Sequence, residues 1–187
     1  MDRFPKRMFI AMPVEAPEID RVRTELEKSG RCLKVVHDDN YHITLKFLGD
    51  TGLDRCDGLV AALDSSSRPQ KVECVIKGLG CFPGIADPSV IWAGMEYDSR
   101  LMEKLFLFAE NAAVAAGFPP EQRRFTPHLT LARVRRESMV PAALKDYIKS
   151  SRETVYSQCV IDRVILFESV LKKNGPEYKV YKEWKLS

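Results

Sequence analysis

His42-Ile43-Thr44-Leu45 and His128-Leu129-Thr130-Leu131 are two copies of one pattern, His-apolar-Thr-Leu. A β-strand sends successive side chains to opposite faces, so in each copy the His and Thr share one face and the apolar pair takes the other. Each copy thus offers an imidazole beside a hydroxyl. The chain has three histidines and two of them carry the pattern, so its duplication organises the rest of the sequence.

Outward from the first copy, Asp38-Asp39-Asn40 is a polar turn and Leu33 to Val36 reads as an edge strand. Before these, Met8 to Met12 is a short apolar run ended by Pro13, which suits a buried strand. A helix should lie between, with Pro17 in its first turn, Ile19, Val22 and Leu26 at helical spacing and Gly30 at its end. After the His-Thr strand, which Gly49-Asp50 closes, Leu53, Cys56, Leu59, Val60 and Leu63 mark a second amphipathic helix. Val72, Cys74 and Ile76 then alternate as in a half-buried strand, and the Gly78, Gly80, Pro83, Gly84 stretch through Pro88 breaks that pattern.

The second half replays this order. Val90 to Met95 stands where the opening strand stood, a helix carrying Leu101, Leu105, Phe108 and Ala112 stops at Gly117, and the second His-Thr strand follows. Pro141 opens a helix with Leu144, Tyr147 and Ile148, and two strands over 163–171 and 177–184 finish the chain, joined by a hairpin signal at Asn174-Gly175. The expected fold is α+β, a bilobal pseudo-twofold duplication with two antiparallel sheets flanking a central cleft and helices outside. One domain, 1–187, would comprise lobes of roughly 1–84 and 85–187, with strand exchange between them an open option.

The totals are those of an ordinary soluble protein: 45% hydrophobic and 29% charged, with a net charge of +3 that tolerates an anionic ligand without requiring one. Cys32, Cys56, Cys74, Cys81 and Cys159 are odd in number and lack C-x-x-C spacing, so neither a zinc knuckle nor a disulfide framework is implied. Residues 1–7 lack the apolar core of a signal peptide, and no apolar run approaches spanning length. A cytoplasmic protein with no membrane association is expected.

If the halves pack about a twofold axis, His42 and His128 face each other across one cleft. Two imidazoles with ordinary pKa near 6.5 then divide acid and base roles near neutrality, each proton transfer contributing roughly 10² to 10⁴ in rate. That suits hydrolysis of a strained cyclic phosphodiester, with Thr44 and Thr130 donating hydrogen bonds to the nonbridging oxygens. No metal or other cofactor is called for, because the neighbours of the two histidines are Thr, Ile, Leu and Pro rather than the three or four ligands zinc takes. A serine hydrolase is disfavoured by the absence of G-x-S-x-G. His37 lacks the context of the other two and reads as an ordinary surface or packed residue.

The two motifs resemble those of the 2H phosphoesterase superfamily, and the flanking segments Arg7 to Pro13, Gly80-Cys81-Phe82-Pro83, Val90 to Gly94 and Phe125 to Arg133 are similar to its RNA 2′,3′-cyclic phosphodiesterase branch, also called 2′-5′ RNA ligase-like. The resemblance implies RNA ends or nucleotides bearing a 2′,3′-cyclic phosphate as substrate, with no obligate protein partner. It implies His42 as general acid at the leaving 3′ oxygen and His128 as general base for water, giving a 2′-phosphate. Thr44, Thr130 and Arg133 carry over as phosphate ligands. Other readings are 2′-5′ ligation of RNA halves by the same residues, and a noncatalytic RNA-end or nucleotide-binding module.

Strict alternation puts Arg133 on the face opposite His128, so it reaches a phosphate only if the strand bends, bulges or ends there. By the same count Lys46 shares the face of His42, as an extra cation at the cleft or a solvent-facing strand end. Phe9, Phe47 and Phe125 read as core residues before base-stacking ones, and Arg123 and Arg124 as a solvated turn before an RNA contact.

Overall fold

Alternating burial builds nine strands and 3.6-residue periodicity builds four helices in the computed structural model, which describes residues 5–172 and 175–187. In chain order these are β1 (Lys6–Pro13), α1 (Asp20–Lys28), β2 (Leu33–Val35), β3 (His42–Thr51), α2 (Leu53–Ser65), β4 (Val72–Phe82) and β5 (Val90–Tyr97). There follow α3 (Ser99–Ala115), β6 (Leu129–Val134), α4 (Ala142–Ser150), β7 (Val155–Ile161), β8 (Arg163–Lys172) and β9 (Gly175–Lys185). No described helix is long and apolar enough to cross a membrane.

The helices follow from local chemistry. Asp98 caps α3, its carboxylate accepting from the Arg100 and Leu101 amides at 2.8 and 3.2 Å, which satisfies two of the four orphan donors of a helix start. At the other end Gly117, at φ +80°, takes the left-handed turn that stops the helix, and the Phe118 amide closes back on Ala113 O at 2.9 Å. Cys56, Leu59 and Leu63 give α2 one buried face; Val22 and Leu26 do so for α1, and Leu144 and Ile148 for α4.

All strand pairings are antiparallel and form two sheets, ordered β3-β1-β8-β9 and β2-β6-β5-β4-β7. The α+β architecture with two antiparallel sheets is thus as expected, but the sheets do not divide the chain at residue 84. β4 leaves the first half to pair with β5, and β8 returns from the second half to pair with β1, Phe9 lying opposite Phe167. Helices cross as well: α3 packs on β3 and α2, whereas α1 packs on β2 and α4 on β4.

Three further departures have local causes. The glycine-rich stretch after Ile76 does not end β4, because Gly78 (φ +74°) absorbs a bulge and the strand resumes through Phe82. β7 is an additional strand at a sheet edge, where its exposed Val155, Gln158 and Val160 blur the alternation. It also brings Cys74 and Cys159 together: they are directly paired across β4 and β7 with Cα atoms 5.3 Å apart, a separation a disulfide spans, so two of the scattered cysteines do form a pair. The turn expected at Asn174-Gly175 involves residues 173–174, which lie outside the described residues.

The main core fills the space between sheets and helices, with Met8, Ile10, Ile43, Leu59, Ile76 and Leu105 all fully enclosed. A second, smaller apolar cluster of Phe9, Ala11, Ile165 and Phe167 lies on the other face of β1 and β8. That cluster is the floor beneath His42.

Candidate active site

His42 opens β3, and His128 immediately precedes β6. Each ring is fixed by the backbone two residues upstream: His42 Nδ1 lies 2.6 Å from Asn40 O and His128 Nδ1 lies 2.8 Å from Thr126 O. A carbonyl only accepts, so in both rings Nδ1 carries the hydrogen and Nε2 is left to exchange a proton. The duplicated sequence therefore produces a duplicated tautomer.

Both imidazoles sit among aromatic rings. Phe9 and Tyr178 approach His42 with centroids at 5.1 and 5.2 Å, Tyr178 edge-on, and Phe167 lies at 6.4 Å. Phe82 meets His128 edge-on at 5.0 Å and Trp92 lies at 6.3 Å. Burial among these neighbours lowers the His42 pKa from its ordinary value, partly offset by the Asn40 hydrogen bond; the nearby charges of Arg133 and His128 lower it further. β3 and β6 are in contact, and Arg133 of β6 lines one pocket with His42 of β3.

Thr44 and Thr130 are half-buried on their strands, two residues beyond their histidines. Beyond them the alternation changes. In β3 the register passes from Ala11↔Thr44 to Ile10↔Lys46, leaving Leu45 as the extra residue of a bulge. In β6 it passes from Trp92↔Thr130 to Ile91↔Ala132, leaving Leu131 as the extra residue. A bulge inverts the facing of everything after it.

This inversion settles where two cations go. Arg133 turns to the side of Thr130, and with His42 it lines a 490 Å³ pocket that also includes Arg7, Phe9, Phe47 and Tyr178. Lys46 turns the other way, and neither alternative expected for it holds. It is 5% exposed, paired with Glu110 of α3 at 2.9 Å, and donates to Pro119 O at 2.8 Å. Glu110 in turn accepts from the Glu121 amide at 2.7 Å, tying the loop that leads to His128 onto the strand that carries His42.

The aromatic residues sort differently from the expectation of core packing for all three. Phe9 is buried and Phe125 stacks on Phe106 at 4.8 Å, but Phe47 is 69% exposed at the rim of the pocket. Arg123 and Arg124 are exposed, as is His37. Sequence reasoning gave no role to Arg7, Phe82, Trp92 or Tyr178, although the first three lie in segments singled out for their family likeness. Gly80 is the backbone condition for Trp92: a Cβ there would meet the indole at 2.3 Å, so only glycine admits the ring.

Two sheets joined by strand exchange, each with a carbonyl-fixed histidine followed by a threonine on its strand, define a phosphoesterase of the 2H type. The LigT-like phosphoesterase family matches over residues 10–92 and 98–178, and the chain belongs to that family. Among its relatives, the RNA 2′,3′-cyclic phosphodiesterase of Methanocaldococcus jannaschii is 32% identical over 181 residues, covering 95% of this chain and 99% of that protein. The protein of the same name from Aeropyrum pernix is 30% identical over 165 residues, covering 88% and 93%. In fold, the crystal structure of E. coli LigT complexed with 3′-AMP superimposes with a TM-score of 0.76 at 22% identity, over 98% of this chain and 99% of that one. The crystal structure of a Thermus thermophilus protein, TT0787, gives 0.73 at 23% identity, over 96% and 97%.

Proposed function

We propose that the protein hydrolyses RNA 2′,3′-cyclic phosphate ends by metal-independent acid and base catalysis between His42 and His128, releasing a 2′-phosphate. The observation that carries this is the matched pair of Nδ1 contacts to Asn40 O and Thr126 O, which leaves two Nε2 atoms as the proton carriers. Membership of the phosphoesterase family and the name its relatives bear support cyclic phosphodiester hydrolysis as the reaction.

In this reading His128 Nε2 removes a proton from water as the water oxygen bonds to phosphorus. The P–O3′ bond breaks, and His42 Nε2 delivers its proton to O3′, leaving the phosphate on O2′. Thr44, Thr130 and Arg133 hold the nonbridging oxygens, where charge accumulates in the transition state. The depressed pKa of His42 works against its acid role, and the arriving phosphate anion corrects this by favouring the imidazolium beside it.

The test is turnover of a cyclic-phosphate oligoribonucleotide in EDTA, with the product phosphate located by NMR. His42→Ala and His128→Ala should each lower kcat by about 10² to 10⁴. Undiminished turnover in either variant, or a 3′-phosphate product, would reject these roles.

A further inference from the structure

We propose that Arg7 is a second phosphate subsite, holding the phosphodiester on the 5′ side of the terminal nucleotide, so that the pocket selects polyribonucleotide ends over cyclic mononucleotides. This rests on the cyclic phosphodiesterase reading above and adds a specificity residue to it.

The charge balance of the pocket motivates the assignment. Arg7 and Arg133 both line it with His42, and none of its lining residues is acidic. Both guanidinium-bearing residues are exposed, and neither forms an ion pair among the described residues; Asp50, the cross-strand partner of Arg7, is outside ion-pair distance. A cyclic phosphodiester carries one negative charge, which Arg133 and the histidines already meet. The second guanidinium comes from the other sheet and has no counter-ion among the described residues. Both arginines line one pocket together with Tyr178.

The shape of the surface supplies the direction. A second depression, of 440 Å³, shares Arg7, Ser169 and Leu171 with the first and continues outward past Pro5, Lys6, Asp50 and the Lys6-paired Glu168, so Arg7 stands where the two meet. Leu171, 72% exposed, lines both depressions, and Phe47, 69% exposed, lines the first together with Arg7. An exposed ring and an exposed aliphatic chain beside such an arginine offer a stacking surface next to a phosphate contact, the combination single-stranded RNA uses. Lys6 at the outer end is already committed to Glu168 at 2.9 Å, which leaves Arg7 as the cation for the next phosphate.

Three substrates separate the contributions: a five-nucleotide RNA ending in a 2′,3′-cyclic phosphate, 2′,3′-cyclic AMP with a free 5′ hydroxyl, and 2′,3′-cyclic AMP bearing a 5′ phosphate. The wild-type kcat/KM for the first and third should exceed that for the second by about tenfold or more. Arg7→Ala should collapse that ratio to within about twofold, with thermal melting checking that the variant is folded. A wild type without the ratio, or an Arg7→Ala variant that keeps it, overturns the assignment. Binding of the fluorescently labelled five-mer carrying a 2′-phosphate needs no turnover. Its salt slope should fall by about 0.7 in Arg7→Ala, one phosphate contact's worth for a single strand, and an unchanged slope rejects the subsite even if hydrolysis itself is never observed.

Discussion

Leu45 and Leu131 are equivalent residues: each is the unpaired member of a β-bulge three positions after its histidine, and each turns the side chain five positions after that histidine toward the cleft. In one strand that side chain is Phe47 and in the other Arg133, so a symmetric backbone device presents a ring on one side and a cation on the other.

Arg133→Ala should therefore lower kcat/KM for a cyclic-phosphate oligonucleotide by about 10² to 10³, the cost of removing a preorganised transition-state donor. Arg136→Ala, an exposed arginine three residues on, should stay within about twofold. Equal losses in the two variants would mean that general positive charge, and not the bulge-directed side chain, is responsible.

The buried Lys46–Glu110 pair makes a stability forecast. Lys46→Met strands a carboxylate in the interior and should cost about 3 to 5 kcal/mol in urea unfolding. Adding Glu110→Gln should recover at least half, because the amide oxygen still accepts from the Glu121 N–H. A single variant within about 0.5 kcal/mol of wild type would contradict the pairing.

Gly80→Ala places a methyl where the Trp92 indole lies, so the ring must leave its position beside His128. We expect a shifted tryptophan emission and a fall in kcat of at least about tenfold with the fold retained, an ångström-scale misplacement near the reacting groups being costly. Wild-type kcat with a displaced indole would remove Trp92 from any positioning role.

His42 should titrate below the ordinary histidine value of about 6.5 when its Cε1 proton is followed by NMR, since burial disfavours the imidazolium. Addition of 2′-AMP should raise the midpoint, because the bound anion favours the charged ring. The same sign governs stability: a native pKa below the unfolded one contributes stability at neutral pH that is lost as pH falls through the native value. A midpoint at or above 6.5 in the free protein, or one unmoved by 2′-AMP, would contradict this account of the pocket.

His42, Thr44, His128 and Thr130 were legible in the sequence because a repeated tetrapeptide needs no three-dimensional information to be noticed. Arg133 was named from the family resemblance with its facing left conditional on a bend or bulge, and Lys46 was misplaced, for one shared reason: alternation counts residues, whereas facing depends on register with a neighbouring strand, and an inserted Leu45 or Leu131 leaves no mark in the periodicity. The pairings of β4 with β5 and β8 with β1 were equally hidden, because order along the chain does not say which sheet a strand joins. Arg7 had no role in the sequence beyond its place in a family-like segment, because the pocket it lines is built from strands distant along the chain.

The exchange of β8 has a consequence for biosynthesis. Until that late segment leaves the ribosome, β1 carries an open flank, and the aromatic floor under His42 lacks Phe167 and Tyr178. A nascent or truncated chain ending before β8 would thus hold both histidine motifs and yet display an apolar strand, paired with β3 on one side only, whose open edge is of the kind that recruits other chains. Emergence of β8 and β9 and maturation of the pocket are one event.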